Sequence, residues 1–295
     1  KTVRTNGVLI TQATPRGGII SGSSSVMFLD GWNWEDAQLR ADDGIHLNWP
    51  STYLTSGWWA QPGGTSKNEN YLKGVMEIKE YFEISKAYSI SNDQIDLELE
   101  AMRGLFNGSK NLYVNAKYPN EIRESIKYFK GIGIKNIIIV GGEGALDALP
   151  ILKEFNIPII LKRVHSLPSN EDAPIDEYFA LPSKLQKEGI LFCFAYNGDM
   201  EAMGTRNLPF TAGTAVAYGL NYEHAIAALS LNTSTIFGIN NISGSIEKDK
   251  DATFFISSGD ALDMIGNNVE KAFIRGREVN LNNHQKELYE KYKGR

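Results

Sequence analysis

The chain has 295 residues, 42% hydrophobic and 22% charged, with a formal net charge of -5. That length suits one large α/β domain, or a domain with an appendage, in a globular chain. The mild acidity and scattered Lys and Arg argue against a nucleic-acid-binding surface, no apolar run is long enough for a membrane-spanning helix, and the single cysteine, Cys193, excludes an internal disulfide and reads as a packed core thiol inside an apolar strand.

The chain opens Lys1-Thr2-Val3-Arg4, with neither an initiator Met nor the shape of a signal peptide, so residues upstream are expected. "GVLITQAT" (Gly7–Thr14) and "SSVMFLD" (Ser24–Asp30) read as strands, with the Gly/Ser-rich "PRGGIISGSS" as a turn region between them. "DGIHLNWP" reads as a further short strand stopped by Pro50, and the Trp- and Gly-rich stretch 51–67 as a long loop. Residues 68–105 carry helical periodicity over more than one helix.

From Lys110 the rhythm is regular. "KNLYVNAK", "KNIIIVGG", "IPIILKRVHSLP" and "ILFCFAYNGD" are short β-branched or aromatic runs. Helical patterns separate them: "NEIRESIKYFKGIG", "EGALDALPILKEFN", which Pro150 must kink or divide, and "DEYFALPSKLQKEG". This alternation predicts right-handed βαβ units and a parallel sheet, and the near-continuous apolar strands suit a sheet covered on both faces. The tail changes character. "NYEHAIAALSLNTSTIFGI" predicts a helix ending near Gly238, "SGSIEKDKDATFFISSGDALD" and "NNVEKAFIRGREVN" two antiparallel-type strands, and "NHQKELYEKYKGR" a closing charged helix.

The tail also carries the most specific signal. Asn232, Gly238, Gly244-Ser245-Ile246-Glu247, Lys250-Asp251-Ala252 and Gly276 keep the frame of a helix with A-x-x-x-N-x-A-x-x-x-G, then G-S-[IL]-E-x-G-K-D-A-D, a strand and V-x-x-V-x-x-x-G. In this frame the chain resembles the amidohydrolase superfamily, nearest its imidazolonepropionase-like branch. Lys248-Asp249 depart from the usual spacer glycine and Thr253 replaces the second acid. The resemblance implies an α/β fold: a metal-dependent-hydrolase-type TIM barrel, its first strand missing from this chain, with a small partial β-sandwich built from both chain ends. Residues 1–240 would form the barrel, 241–280 the sandwich portion and 281–295 a C-terminal helix.

In intact relatives, histidines and an aspartate at strand ends hold one or two divalent metals such as zinc, which acidify a bound water. Here there is no His-x-His, the fifth-strand position reads Asn115, no His stands near Val140 or Gly141, and the eighth-strand acid reads Asn197, with Asp199 two residues on. A neutral amide binds a divalent metal weakly and is no base at neutral pH. The resemblance therefore implies a degenerate metal site and no metal cofactor in these residues.

Four histidines remain: His46, His165, His224 and His284. His224 and His284 read as surface residues. His46 either faces the barrel mouth or makes a structural hydrogen bond. His165 ends the seventh strand and reads as a substrate-side acid, base or anion contact, or as a loop tie. "RGGIISGSSS" lacks the Lys-[Ser/Thr] of a phosphate loop, and Gly141-Gly142 reads as a tight strand-to-helix turn. The residues support two functional readings. One is a hydrolase of non-peptide C–N bonds with a degenerate metal site, and the other a non-catalytic barrel that binds a ligand or packs against a partner. On these readings catalytic roles fall to His165 and Asp199, and substrate contacts to Asn115, Arg163 and Asn197. A small-molecule ligand and a second copy of the chain are the partners left open; nucleic acid and membrane are not expected.

Overall fold

The computed structural model describes residues 2–58, 60–91, 94–162, 164–196 and 201–294. In chain order the elements are β1 (Ile10–Ala13), β2 (Ile20–Phe28), α1 (Trp34–Ala37), β3 (Gln38–Asn48), β4 (Tyr53–Trp58), β5 (Gln61–Lys67), α2 (Tyr71–Ser89), α3 (Leu97–Asn107), β6 (Asn111–Ala116), α4 (Pro119–Gly131), β7 (Ile137–Gly141), α5 (Leu149–Glu154), β8 (Ile159–Leu161), α6 (Glu177–Lys187) and β9 (Phe192–Phe194). They continue with α7 (Glu201–Gly204), α8 (Leu208–Ala217), α9 (Tyr222–Leu229), α10 (Leu231–Ile236), β10 (Phe254–Ser257), β11 (Val269–Ile274), β12 (Arg277–Glu278) and α11 (His284–Tyr292). A seven-stranded sheet has the order β1-β2-β3-β6-β7-β8-β9, with β1 and β9 as its two ends. Contacts group the chain into two units: Thr14–Ser25 with Ala41–Ile160, and Lys1–Ala13 with Val26–Arg40 and Leu161–Arg295.

In the unit 14–25/41–160, β3 pairs with β6 and β6 with β7, both parallel, as the βαβ rhythm predicts. The register sets Leu112 beside Ile137 and Val114 beside Ile139, all buried. Alternation gives β6 an apolar face and a second face bearing Asn111, Tyr113 and Asn115. α4 packs on β6 and β7 with Ile122, Ile126 and Phe129 fully buried. Phe129 meets Phe82 of α2 at 4.8 Å and the edge of Trp49 at 5.8 Å, so aromatic packing fixes this helix layer. Pro119 opens α4 within its first turn, where its missing N–H costs nothing.

Two expectations for this unit meet different outcomes. The stretch 51–67 is not a long loop: β4 and β5 form an antiparallel hairpin, Tyr53 opposite Lys67 and Thr55 opposite Thr65, with an irregularity between Thr55 and Gly57. Gly57 has φ 83°, which lets the strand bend where a β-branched residue would resist. The pattern of Tyr, Thr and Trp is strand-forming, but the glycines among them mask it. Pro150 does divide its helix: a 3-10 turn, Ala145–Ala148, precedes α5, and Pro150 lies in the first turn of the new segment.

In the other unit the sandwich portion draws on both ends of the chain. Leu9 and Phe28 pack with Ala272, Ile274 and Val279 in one cluster that also takes up Ile10, Phe255 and Leu281. β10 and β11 are antiparallel, with Phe254 opposite Phe273, and β12 returns from a turn at Arg275-Gly276, both at positive φ. Arg4, itself buried, and Arg277 both pair with Asp30, tying the first strands to the last. The tail helix breaks at Ser230 into α9 and α10, a division the continuous Ala-rich pattern does not show.

Candidate functional site

Two side-chain amides stand at strand ends of the unit 14–25/41–160. Asn48 and Asn115 are register neighbours on β3 and β6. Asn48 Nδ2 donates to Gly18 O at 2.8 Å and to Ser21 Oγ at 3.1 Å, while Asn115 Nδ2 donates to Leu47 O at 3.3 Å. The carbonyl of Asn115 accepts from Trp49 N at 3.0 Å. Asn115, expected as a substrate contact, thus sits half-buried at a strand end and already braces the neighbouring strand.

One acid at these strand ends has no counterpart among the residues singled out from the sequence. Glu121 is 1% exposed. Its Oε1 accepts from Thr52 N at 2.6 Å and Thr52 Oγ1 at 3.0 Å, and its Oε2 from Lys117 N at 3.0 Å and Tyr118 N at 3.1 Å. This carboxylate stitches the segment leaving β3 to the segment leaving β6. A local signal for it exists: a glutamate three residues into a helix that succeeds a strand can reach back to the N-cap backbone.

Below the strand ends lies a buried polar layer. Asp43 accepts from Tyr113 OH at 2.5 Å and from Ser24 Oγ at 2.7 Å, and Asn111 Nδ2 donates to Tyr113 OH at 3.1 Å. His46, 4% exposed, stacks on Tyr113 with ring centroids 4.5 Å apart. Its Nε2 has no hydrogen-bond partner among the described residues, and burial pulls its pKa down from 6.5 to about 4, against a smaller opposing pull from Asp43. The position observed for His46 is interior and stacked, at neither a mouth nor a hydrogen bond through Nε2.

In the other unit His165 reaches outward from the loop after β8. Its Nε2 lies 2.9 Å from Thr214 Oγ1 of α8, and its ring meets the edge of Phe179 of α6 at 5.8 Å. It lines a cavity of about 480 Å³ with Tyr196, Phe210, Tyr222, Asp260 and Asp263. Gly213 lets α8 approach this wall: a Cβ there would lie 2.2 Å from Leu262 O. Tyr196 comes after β9, and its hydroxyl accepts from Thr211 Oγ1 at 3.1 Å. Tyr222 donates to Asp260 Oδ1 at 2.8 Å, and this bond raises the tyrosine pKa. The other expected site residues, Arg163, Asn197 and Asp199, lie outside the described residues. His224 and His284 are exposed, and Cys193 is a buried free thiol whose pKa burial pushes up to about 12.

A scan against protein-family models finds no match, and no curated protein matches the chain. Solved structures do match. An amidohydrolase from Thermotoga maritima MSB8 aligns with a TM-score of 0.77 at 21% identity, over 95% of this chain and 73% of its own. The chain has the amidohydrolase fold. A Xaa-Pro dipeptidase with methionine bound in its active site aligns with a TM-score of 0.52 at 15% identity, over 80% of this chain and 54% of that one.

The motif residues that carried the resemblance have structural roles in this amidohydrolase fold. Asn232 Nδ2 donates to Phe192 O at 3.2 Å, tying α10 to β9. Gly238 and Gly244 take φ 66° and 103°, and a Cβ on Gly244 would fall 2.0 Å from Ser234 Oγ. Lys250 Nζ donates to Ser245 Oγ at 2.5 Å and pairs with Glu247 Oε1 at 3.3 Å. Asp249 stands in the left-handed region at φ 69°, which gives a physical reason for a spacer glycine in this stretch.

The described residues offer a divalent metal no matching donor set. Among the described residues no three His, Cys, Asp or Glu side chains come together in a way that could hold one. The strand-end groups are the amides of Asn48 and Asn115, and Glu121 is committed to four close donors. A zinc site needs at least three protein ligands.

Proposed function

We propose that the chain is an amidohydrolase-type hydrolase unit directed at non-peptide C–N bonds, with its metal centre degenerate in these residues. The observation that carries this reading is the alignment with the Thermotoga maritima amidohydrolase over 95% of the chain. The scaffold keeps strand-end polar groups, and the donors those groups offer are neutral. Asn115 would supply an amide contact to a substrate at the end of β6. In the other unit His165 would act as an acid or base, oriented by Asp199, while Arg163 would offer a forked donor and Asn197 a further amide.

The test is an assay of the purified chain against cyclic amides, ureas and carbamates, with and without added Zn²⁺. We expect small-molecule binding, read as a thermal shift, with no zinc-stimulated turnover. Zinc-stimulated hydrolysis would retain the hydrolase and overturn the degenerate centre; binding of none of the panel would overturn the ligand role. A second reading, a non-catalytic module packed against a partner, draws on one observation: the β4–β5 hairpin leaves Tyr53, Leu54 and Trp58 all exposed. Its own test is the mass of the chain in solution.

A further inference from the structure

We propose that the cavity beside α8 takes a small organic cation, a protonated or quaternary amine carried on an apolar or aromatic body. The proposal names a ligand class for the cavity that His165 lines and does not depend on hydrolysis. The cavity, about 480 Å³, has the size of a small-molecule site. Its polar wall is the segment between β10 and β11. Asp260 accepts from Tyr222 OH and from Leu262 N, both at 2.8 Å and both on Oδ1. Asp263 accepts from Gly266 N at 2.7 Å on Oδ2. Each carboxylate is therefore anchored through one oxygen and leaves the other without a protein partner among the described residues. Anchoring fixes the direction of the remaining oxygen in advance, which lowers the entropy cost of binding.

The other walls suit the rest of such a ligand. Tyr196, Phe210 and Tyr222 give aromatic surface, and Leu262 and Met264 apolar surface. Aromatic faces attract a cation through their negative π-face, most strongly where water is displaced. Met264 is 71% exposed, a polarisable side chain available to close over a bound ring. Neither Lys nor Arg is among the described residues that line the cavity. An anionic ligand would face two carboxylates with no described cation to offset them, and a purely apolar ligand would strip water from both carboxylates without return. His165, held by Thr214 at 2.9 Å, closes the side facing α6.

The experiment is a titration of the chain with four probes of one shape: benzylamine, benzyltrimethylammonium, benzyl alcohol and benzoate, monitored by calorimetry and ligand-observed NMR. We expect both cations to bind at least about tenfold more tightly than the alcohol, with benzoate weakest. Asp263→Asn is expected to weaken the cations about fivefold while leaving the alcohol unchanged. Equal binding of cations and alcohol, or a preference for benzoate, overturns the proposal, as does the absence of cation binding. If Asp263→Asn fails to fold, the charge series on the unaltered chain decides alone. Failure of the series leaves the fold-based reading intact, and zinc-stimulated hydrolysis would overturn the degenerate centre without changing the series.

Discussion

β6 and β8 start from apolar runs of the same kind and end as different objects. β6 keeps six residues in the ladder, with β3 in parallel register on one side and β7 on the other. β8 keeps three, although "IPIILKRVH" is as apolar as "NLYVNAK". β9 likewise keeps three of "ILFCFAYNGD". The two strands differ in the segments they lead into. β6 runs into α4 through a junction clamped by Glu121. β8 runs into a loop whose His165 is held by side chains of α6 and α8. Strand length is set by where the chain must leave the ladder, and the region that leaves early borders the cavity lined by His165. The contrast is between a junction clamped by a buried carboxylate and one that borders a ligand-sized cavity, and substitutions can strain either side of it.

The largest effect belongs to the committed junction. Glu121→Ala should cost about 3–5 kcal/mol, because it removes a buried charge acceptor and leaves several backbone and hydroxyl donors unsatisfied. Urea denaturation monitored by circular dichroism measures it. A loss below about 1 kcal/mol would show that water or a neighbour can replace the carboxylate, and that the junction is not stiff for the reason given.

The buried layer beneath that junction comes next. His46 has its pKa lowered from 6.5 to about 4 by burial, so the folded chain disfavours the imidazolium. Its contribution to stability is fully present above pH 6.5 and is lost as the pH falls from there toward 4. The loss amounts to about 3 kcal/mol over that window. His46→Phe keeps a ring stacked on Tyr113 and removes the titration. The slope of stability against pH across that window should flatten in the variant; an unchanged slope would assign acid sensitivity to other groups.

The contrast also explains how much is legible in the sequence. The βαβ rhythm, α4 with its Ile122, Ile126 and Phe129 face, the antiparallel tail strands and the buried Cys193 are local periodicities, and they are found where expected. The motif glycines Gly238, Gly244 and Gly276 are legible because each answers a backbone need at positive φ. The β4–β5 hairpin passes for a loop because its glycines resemble one in composition, while its register pairs Tyr53 with Lys67 across the whole stretch. The cavity is not legible at all. Tyr222, Asp260 and Asp263 are brought to His165 by the packing of α8 against the segment 260–264, and no spacing rule joins residues so far apart in sequence. His165 stands out in the sequence as a polar residue closing an apolar run, whereas the groups around it depend on tertiary approach.

A smaller effect probes the cavity wall. Gly213 lies within α8, where Ala would ordinarily favour the helix by about 1 kcal/mol. Here the added Cβ would fall 2.2 Å from the backbone oxygen of Leu262, so either the helix or the segment 260–264 must move. Gly213→Ala should therefore cost about 1–2 kcal/mol net instead of stabilising, with the loss limited because that segment is partly exposed. It should also weaken benzylamine binding by more than its lowered melting temperature would suggest, since Asp260 and Asp263 move with Leu262. A stabilised variant with intact binding would show that the wall is already mobile there.

The smallest effect tests the same segment from within. Asn267 comes just after the turn that anchors Asp263, and its backbone N donates to Asp263 O at 2.8 Å. Its side chain is another matter: both Oδ1 and Nδ2 are buried without a hydrogen-bond partner among the described residues. An amide left in this state has surrendered its water for nothing, so an apolar replacement of similar volume removes a cost without removing a contact. Asn267→Leu should stabilise the chain by about 0.5–1 kcal/mol, read as a raised urea midpoint at an unchanged m-value. The backbone bond to Asp263 does not depend on the side chain, so benzylamine affinity should stay where it was. If the variant is instead destabilised, Asn267 has a partner in solution, and the segment that carries Asp260 and Asp263 is held more firmly than its side-chain bonds imply.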